Sequence, residues 1–168
     1  MRELYYAQFG TDTIGDVLNA ASLVWGGEDH LLDVETIMEA IEEVMDNAVR
    51  HSGQDGGAFT LSRSGDKMVA RVEDSGVGIH HNMAAASEEL SVEFAFRPGP
   101  VGTSTGSRRR GGGLVLALDA TASIPQMTLC LYTGHTSYTA SNGKGYVTSG
   151  SGDFHQGVLV EMTCPISD

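Results

Sequence analysis

The chain has 168 residues, 40% of them hydrophobic and 19% charged, which is enough apolar material for one domain with a sizeable core and too much for a disordered chain. Ten Lys and Arg stand against 22 Asp and Glu, a net charge of −12 that argues against a general binder of nucleic acid or anionic membrane, because phosphate contacts need a basic surface. Eleven of the acids but a single base, Arg2, fall in residues 1–49, and the one basic run, Arg108-Arg109-Arg110, lies in a glycine-rich segment.

Residues 2–9 read as an opening strand, and their N-terminus lacks the apolar run of a signal peptide. Thr11-Asp12-Thr13 offers N-caps to a helix over 14–25, where Ile14, Val17, Leu18, Ala21 and Trp25 keep helical spacing until Gly26-Gly27. The clearest element runs over 33–51. Val34, Ile37, Met38, Ile41, Val44, Met45, Ala48 and Val49 make one apolar stripe, with Asp33 as N-cap and Ser52-Gly53 as the stop.

Strands over 58–62 and 67–73, joined by Ser64-Gly65-Asp66, suggest a hairpin. Residues 74–113 are glycine-rich and irregular, with a short helix expected near 83–90. A helix over 113–122 follows a glycine turn. Strands over 127–133 and 157–163 flank a Gly/Ser/Thr/Tyr-rich stretch, 134–152, which reads as a long hairpin or a flexible insert. No segment approaches the ~20 apolar residues of a membrane span. Cys130 and Cys164 lie in strand-like segments without Cys-x-x-Cys spacing, so a reducing cytoplasm is the simplest compartment. The adjacent His80 and His81 are poorly arranged to chelate one ion. This order fits one α+β domain over 1–168, a two-layer sandwich with helices on one face of a mostly antiparallel sheet.

Three groups could carry chemistry. Glu43, Asn47 and His51 recur every fourth residue on the long helix, on the side away from the apolar stripe. A solvated polar face is the plain reading, yet Asn is a weak helix former, and a carboxylate one turn before an amide suits Mg²⁺, which takes few protein oxygens. Asp74-Ser75-Gly76-Val77-Gly78-Ile79 follows a strand directly. It is either a simple turn or a place where backbone passes close to a flat ligand while the acid accepts from an amine. Gly102 to Leu114 combines exposed amides, three arginines and the start of a helix, which favours an anion unless the loop is only incidentally basic.

Together, in this order and spacing, these groups resemble the nucleotide-binding boxes of the GHKL ATPases, the class of histidine-kinase ATP-binding domains, the chaperone ninety family, type II topoisomerases and mismatch-repair ATPases. Glu43-Val44-Met45-Asp46-Asn47-Ala48-Val49-Arg50-His51-Ser52 is similar to the N box, and Asp74-Ser75-Gly76-Val77-Gly78 to the first glycine box. Phe94-Ala95-Phe96-Arg97 is similar to the phenylalanine box, Gly111-Gly112-Gly113-Leu114-Val115-Leu116 to the second glycine box, and the ending from Gly157 to Pro165 to the last strand.

The resemblance implies a Bergerat-type fold with ATP and Mg²⁺ as cofactors. Glu43 would activate the attacking water or hydroxyl, Asn47 would ligate Mg²⁺, and Asp74 would accept from the adenine amine. Gly76 and Gly78 would shape the pocket, with His51 beside it at the end of the N-box helix. Gly111, Gly112, Gly113 and Leu114 would meet the phosphates, joined by Arg108, Arg109 or Arg110 from a lid over 83–111. Two departures stand out: Val115 replaces a usual glycine, and Gly157-Val158 replaces a usual Gly-Thr.

The layout of the first 51 residues is similar to the stand-alone bacterial anti-sigma-factor serine kinases, with Glu28-Asp29-His30 as an acidic turn. Residues 1–30 are too short for a dimerisation helix with a phosphoacceptor histidine, so a complete sensor kinase is not expected. The resemblance implies a cytoplasmic protein with slow ATPase or serine/threonine kinase activity on a partner protein in trans, such as an anti-sigma antagonist or other regulator. It implies neither nucleic acid nor membrane as a partner, and leaves a homodimer open. The alternative is a catalytically inactive nucleotide-sensing or partner-binding module. The 134–152 insert is longer than the subfamily's, and the resemblance assigns it no role.

Overall fold

The structure is a computed structural model that describes residues 1–26, 34–81, 83, 85–97, 113–150 and 153–166. Seven strands form one sheet: β1 (Arg2–Gly10), β2 (Gly56–Ser64), β3 (Lys67–Asp74), β4 (Thr128–Gly134), β5 (Thr136–Ser141), β6 (Lys144–Ser149) and β7 (His155–Pro165). Their order is β1-β2-β3-β7-β4-β5-β6, and every pairing is antiparallel. Among the described residues there are also α1 (Ile14–Gly26), α2 (Val34–His51), α3 (Gly78–His81), α4 (Glu88–Ala95) and α5 (Gly113–Ser123).

Strand alternation divides the sheet into two unlike faces. One row across it runs Ala7, Phe59, Val72, Val160, Leu131, Tyr138, and the next runs Tyr5, Leu61, Ala70, Met162, Leu129, Ala140. Both rows join the core that the helices cover. The alternate row, Tyr6, Thr60, Arg71, Glu161, Cys130, Thr139, Tyr146, belongs to the other face, where Tyr6 and Tyr146 are exposed and Arg71 pairs with Glu161 at 2.6 Å. The architecture is therefore the expected α+β sandwich. Because Arg71 and Glu161 are partly solvated, Glu161→Ala is expected to cost less than about 1 kcal/mol, read from the urea midpoint.

α2 lies against α5, and both helices bury alanines, Ala40 and Ala48 on one and Ala117 and Ala120 on the other. α1 buries Val17, Ala21 and Trp25, three of the five residues that its spacing marked. The Thr13 hydroxyl accepts from the Gly10 N–H at 2.9 Å, closing the turn out of β1 in place of the expected cap on α1. Asp33 and the Glu28-Asp29-His30 turn lie outside the described residues.

One expectation is corrected, and one alternative is decided. The helix placed near 83–90 is α4, starting at Glu88. Ser87 caps it, accepting from the Leu90 N–H, and Glu88 and Glu89 favour the positive end of the first turn. The 134–152 stretch is a hairpin, β5 and β6, built into the sheet; residues 151 and 152 lie outside the described residues. Its turn, Asn142-Gly143, has φ of 52° and 70°, the left-handed pair of a two-residue type I′ connection. Cys130 and Cys164 are both free, and burial pushes the Cys164 thiol up to about 12. No described helix is long and apolar enough to cross a membrane.

Candidate functional site

β3 ends at Asp74, and the chain then turns through Gly76 directly under the end of α2. The Val77 N–H donates to the Ser52 carbonyl at 2.9 Å. A Cβ on Gly76 would overlap the backbone and Cβ of Ser52, so only glycine permits this approach. The loop is thus bolted to the helix that carries Glu43 and Asn47. At 1.5 Å rise per residue, Asn47 lies roughly 7.5 Å of helix before Ser52, and Glu43 about 6 Å further back.

Asp74 is 5% exposed. One carboxylate oxygen accepts from the Gly76 N–H at 2.8 Å. Burial pushes its pKa up, opposed by the backbone N–H groups of Gly76 and Val158 and by His155. Gly157, with φ +77°, passes so close that a Cβ there would overlap the Asp74 carbonyl and lie 2.7 Å from its carboxylate. Gly157→Ala combines left-handed strain with this overlap, and an expected loss of about 2–4 kcal/mol should appear in chemical unfolding. The carboxylate therefore stands in a recess whose nearest walls are backbone.

The structure brings two further side chains to the loop. Thr133 of β4 is buried, accepts from the Ile79 N–H at 3.4 Å, and lies 2.9 Å from where a Gly78 Cβ would sit. Gln156 of β7 donates to the Gly76 carbonyl at 2.7 Å. Neither has a signal in the local sequence, since both come from strands far along the chain. Val158, where a threonine hydroxyl was the usual pattern, packs against the core.

On α2 the placement of the polar row changes. The solvent face carries Glu35, Glu39, Glu42 and Arg50, whereas Glu43, Asn47 and His51 are half-buried on the flank beside the apolar stripe. The expectation that they lie on the side away from the stripe is corrected: their partial burial places them at the margin of the packed face. Burial, then Arg50, lowers the His51 pKa below its usual value, against a raising effect of Asp46, which favours the neutral ring. Leu114 packs partly against the core. Gly113 begins α5, while Gly111, Gly112, Arg108, Arg109 and Arg110 lie outside the described residues.

The donor set fits a nucleotide. A buried carboxylate acceptor suits an amine on a flat ring. Glu43 and Asn47 offer two oxygens one helical turn apart, and no group of three or more His, Cys, Asp or Glu side chains is placed to hold a metal among the described residues. So small a protein donor set suits Mg²⁺, which keeps several waters and takes few protein oxygens. Away from these residues, a groove of about 390 Å³ lies on the sheet face opposite the helices, lined by Tyr6, Thr60, Arg71 and Glu73 among others.

A family model described as histidine kinase-, DNA gyrase B-, and HSP90-like ATPase matches residues 32–156. No curated protein matches the chain. Among solved structures it is similar to the B-subunit of the DNA gyrase from Myxococcus xanthus, at 13% sequence identity and a TM-score of 0.39, over 91% of this chain and 44% of that one. The chain thus spans less than half the length of that subunit.

Proposed function

The chain belongs to the family of histidine kinase-, DNA gyrase B-, and HSP90-like ATPases, and from that premise we propose that it binds Mg-ATP at Asp74 and acts as a slow ATPase or a serine/threonine kinase on a partner protein in trans. The observation that carries the reading is the buried Asp74 carboxylate, held by the Gly76 N–H and walled by Gly157 backbone. Asp74 accepts a hydrogen bond from the adenine amine. Asn47 holds Mg²⁺ by its side-chain carbonyl, and Glu43 takes the proton from the attacking water or hydroxyl. By the same reading Gly113 and the charges of Arg108, Arg109 and Arg110 serve the phosphates, and His51 lies beside the pocket. Bound ATP supplies the phosphoryl group.

The exposed acidic row Glu35, Glu39 and Glu42 suits a partner with a basic patch, such as an anti-sigma antagonist or similar bacterial regulator; the two cysteines without Cys-x-x-Cys spacing fit a cytoplasmic setting. A second reading is an inactive nucleotide-sensing module, favoured by Val158 and Val115 standing where the family usually has threonine and glycine. Radiolabelled ATP separates the two. With candidate partners present, label should appear on a partner serine or threonine and be absent with Asn47→Ala. Phosphate release without labelled protein makes it a plain ATPase, label on this chain alone overturns action in trans, and no turnover at all favours the module.

A further inference from the structure

The Gly76–Val77 peptide is held at both of its polar ends. Its carbonyl accepts from the Gln156 side-chain amide at 2.7 Å, and its N–H donates to the Ser52 carbonyl at 2.9 Å. In a trans peptide these two groups point in opposite directions, so β7 takes one side and the end of α2 the other. Ser52 is itself fixed. It is buried, its N–H donates to the Ala48 carbonyl at 3.1 Å, and its hydroxyl accepts from the Gln54 N–H at 3.0 Å. The preceding peptide carries the Gly76 N–H that donates to the Asp74 carboxylate at 2.8 Å. Asp74 and Gln156 are therefore joined through one glycine, and Gly76 and Gln156 lie 80 residues apart in sequence.

Glycine is the loosest link a chain can have, and at position 76 nothing else fits, because a Cβ there would overlap Ser52. The freedom it brings has to be removed from outside, and two bonds on one peptide do so. Gly157, the next residue after Gln156, lines the carboxylate itself: a Cβ there would lie 2.7 Å from both the Asp74 carboxylate and the Gly76 nitrogen. Neighbouring residues of β7 thus act on neighbouring peptides of the loop. A carbonyl can only accept, so the NH2 of the Gln156 amide faces Gly76. An ionised glutamate in its place would set acceptor against acceptor.

We propose that Gln156 is a positioning residue for recognition of the nucleotide base: by holding the Gly76 carbonyl it fixes the Gly76 N–H and, through it, the direction in which the Asp74 carboxylate accepts the base amine. The proposal rests on the Mg-ATP reading above and adds a residue that works through Gly76 and not on the ligand. Because Gln156 is exposed, its replacement leaves the core intact.

The test titrates the 168-residue chain with ATP and with purine riboside triphosphate, which is ATP with hydrogen in place of the exocyclic amine, both with Mg²⁺. The ratio of the two affinities reports the amine contact alone, since sugar, phosphates and ion are shared. Wild type should favour ATP by about tenfold or more, the effect of a charge-assisted hydrogen bond. Gln156→Glu and Gln156→Met, similar in length but without the donor, should cut that preference to about threefold. Gln156→Lys, which restores an N–H donor, should recover most of it, and its added charge acts on both ligands alike. Without nucleotide, the Val77 N–H should exchange about tenfold faster in the Glu and Met variants, because the other end of its peptide is released. An unchanged ratio in those variants overturns the positioning role, as does equal weakening of both ligands, the mark of a purely structural residue. Unchanged exchange at Val77 overturns the clamp. A wild type that binds the two nucleotides equally, or binds neither, overturns the assignment of Asp74 to the base amine, and the role of Gln156 falls with it.

Discussion

Asp74→Ala is expected to weaken ATP binding by about 10–100-fold or more, the effect of removing a buried charge-assisted hydrogen bond, in a domain that stays folded. Calorimetric titration reads the affinity, and far-ultraviolet dichroism reads the fold. GTP should bind far more weakly than ATP to the wild type, because guanine presents a carbonyl where adenine presents the amine. That leaves the carboxylate facing an acceptor, at a cost of about 1–3 kcal/mol. Equal ATP and GTP affinity removes the assignment of Asp74 to adenine.

The same residue links binding to stability with opposite signs. Burial raises the Asp74 pKa above its ordinary 3.8, so between that value and the folded-state value the folded chain binds more protons than the unfolded one. Stability from this group is present at low pH and is lost as pH rises through the folded pKa. At neutral pH the charged carboxylate is therefore a destabilising element kept for its acceptor. Asp74→Asn, which can still accept from the Gly76 N–H through its carbonyl oxygen, should match or exceed the wild-type Tm while losing ATP affinity. A marked fall in Tm for Asp74→Asn contradicts this account.

Glu43→Ala should leave Mg-ATP affinity within a few fold and lower turnover by about 10²–10⁴-fold, because a general base acts on the chemical step. Asn47→Ala should instead weaken the Mg-dependent part of binding, seen as a smaller gain in ATP affinity on adding Mg²⁺. The half-buried flank of α2 makes the two residues comparable in exposure, so the contrast between them reads chemistry and not position. Identical losses of binding in both variants would place Glu43 with the ligands of the ion. A wild type without turnover that Glu43→Ala leaves unaltered selects the inactive module.

How much of this was legible beforehand follows the range of the forces involved. Helical spacing in 33–51 and the Ser64-Gly65-Asp66 turn act over a few residues, so α2 and the β2–β3 hairpin stand close to where the pattern put them. Asn142-Gly143 was an equally local hairpin signal, and it could have decided between a hairpin and a flexible insert in 134–152. The start of α4 was misplaced because Met83 and Ala84-Ala85-Ala86 favour helix by propensity alone, although Ser87 before two acids was a readable cap.

The sequence by itself determined the fold class, the apolar stripe of α2, and the acid-glycine motif at Asp74 together with the family it resembles. Only the tertiary structure decided that β7 lies between β3 and β4, which carries Gly157 and Gln156 to Asp74 and Gly76 from some 80 residues away and sets Thr133 beside Gly78. It also decided that Glu43, Asn47 and His51 share a half-buried flank, and that the hairpin grips α4 and α5. Strand order and close backbone approach are settled by how apolar faces pack across the whole sheet, and no window of a few residues contains that information.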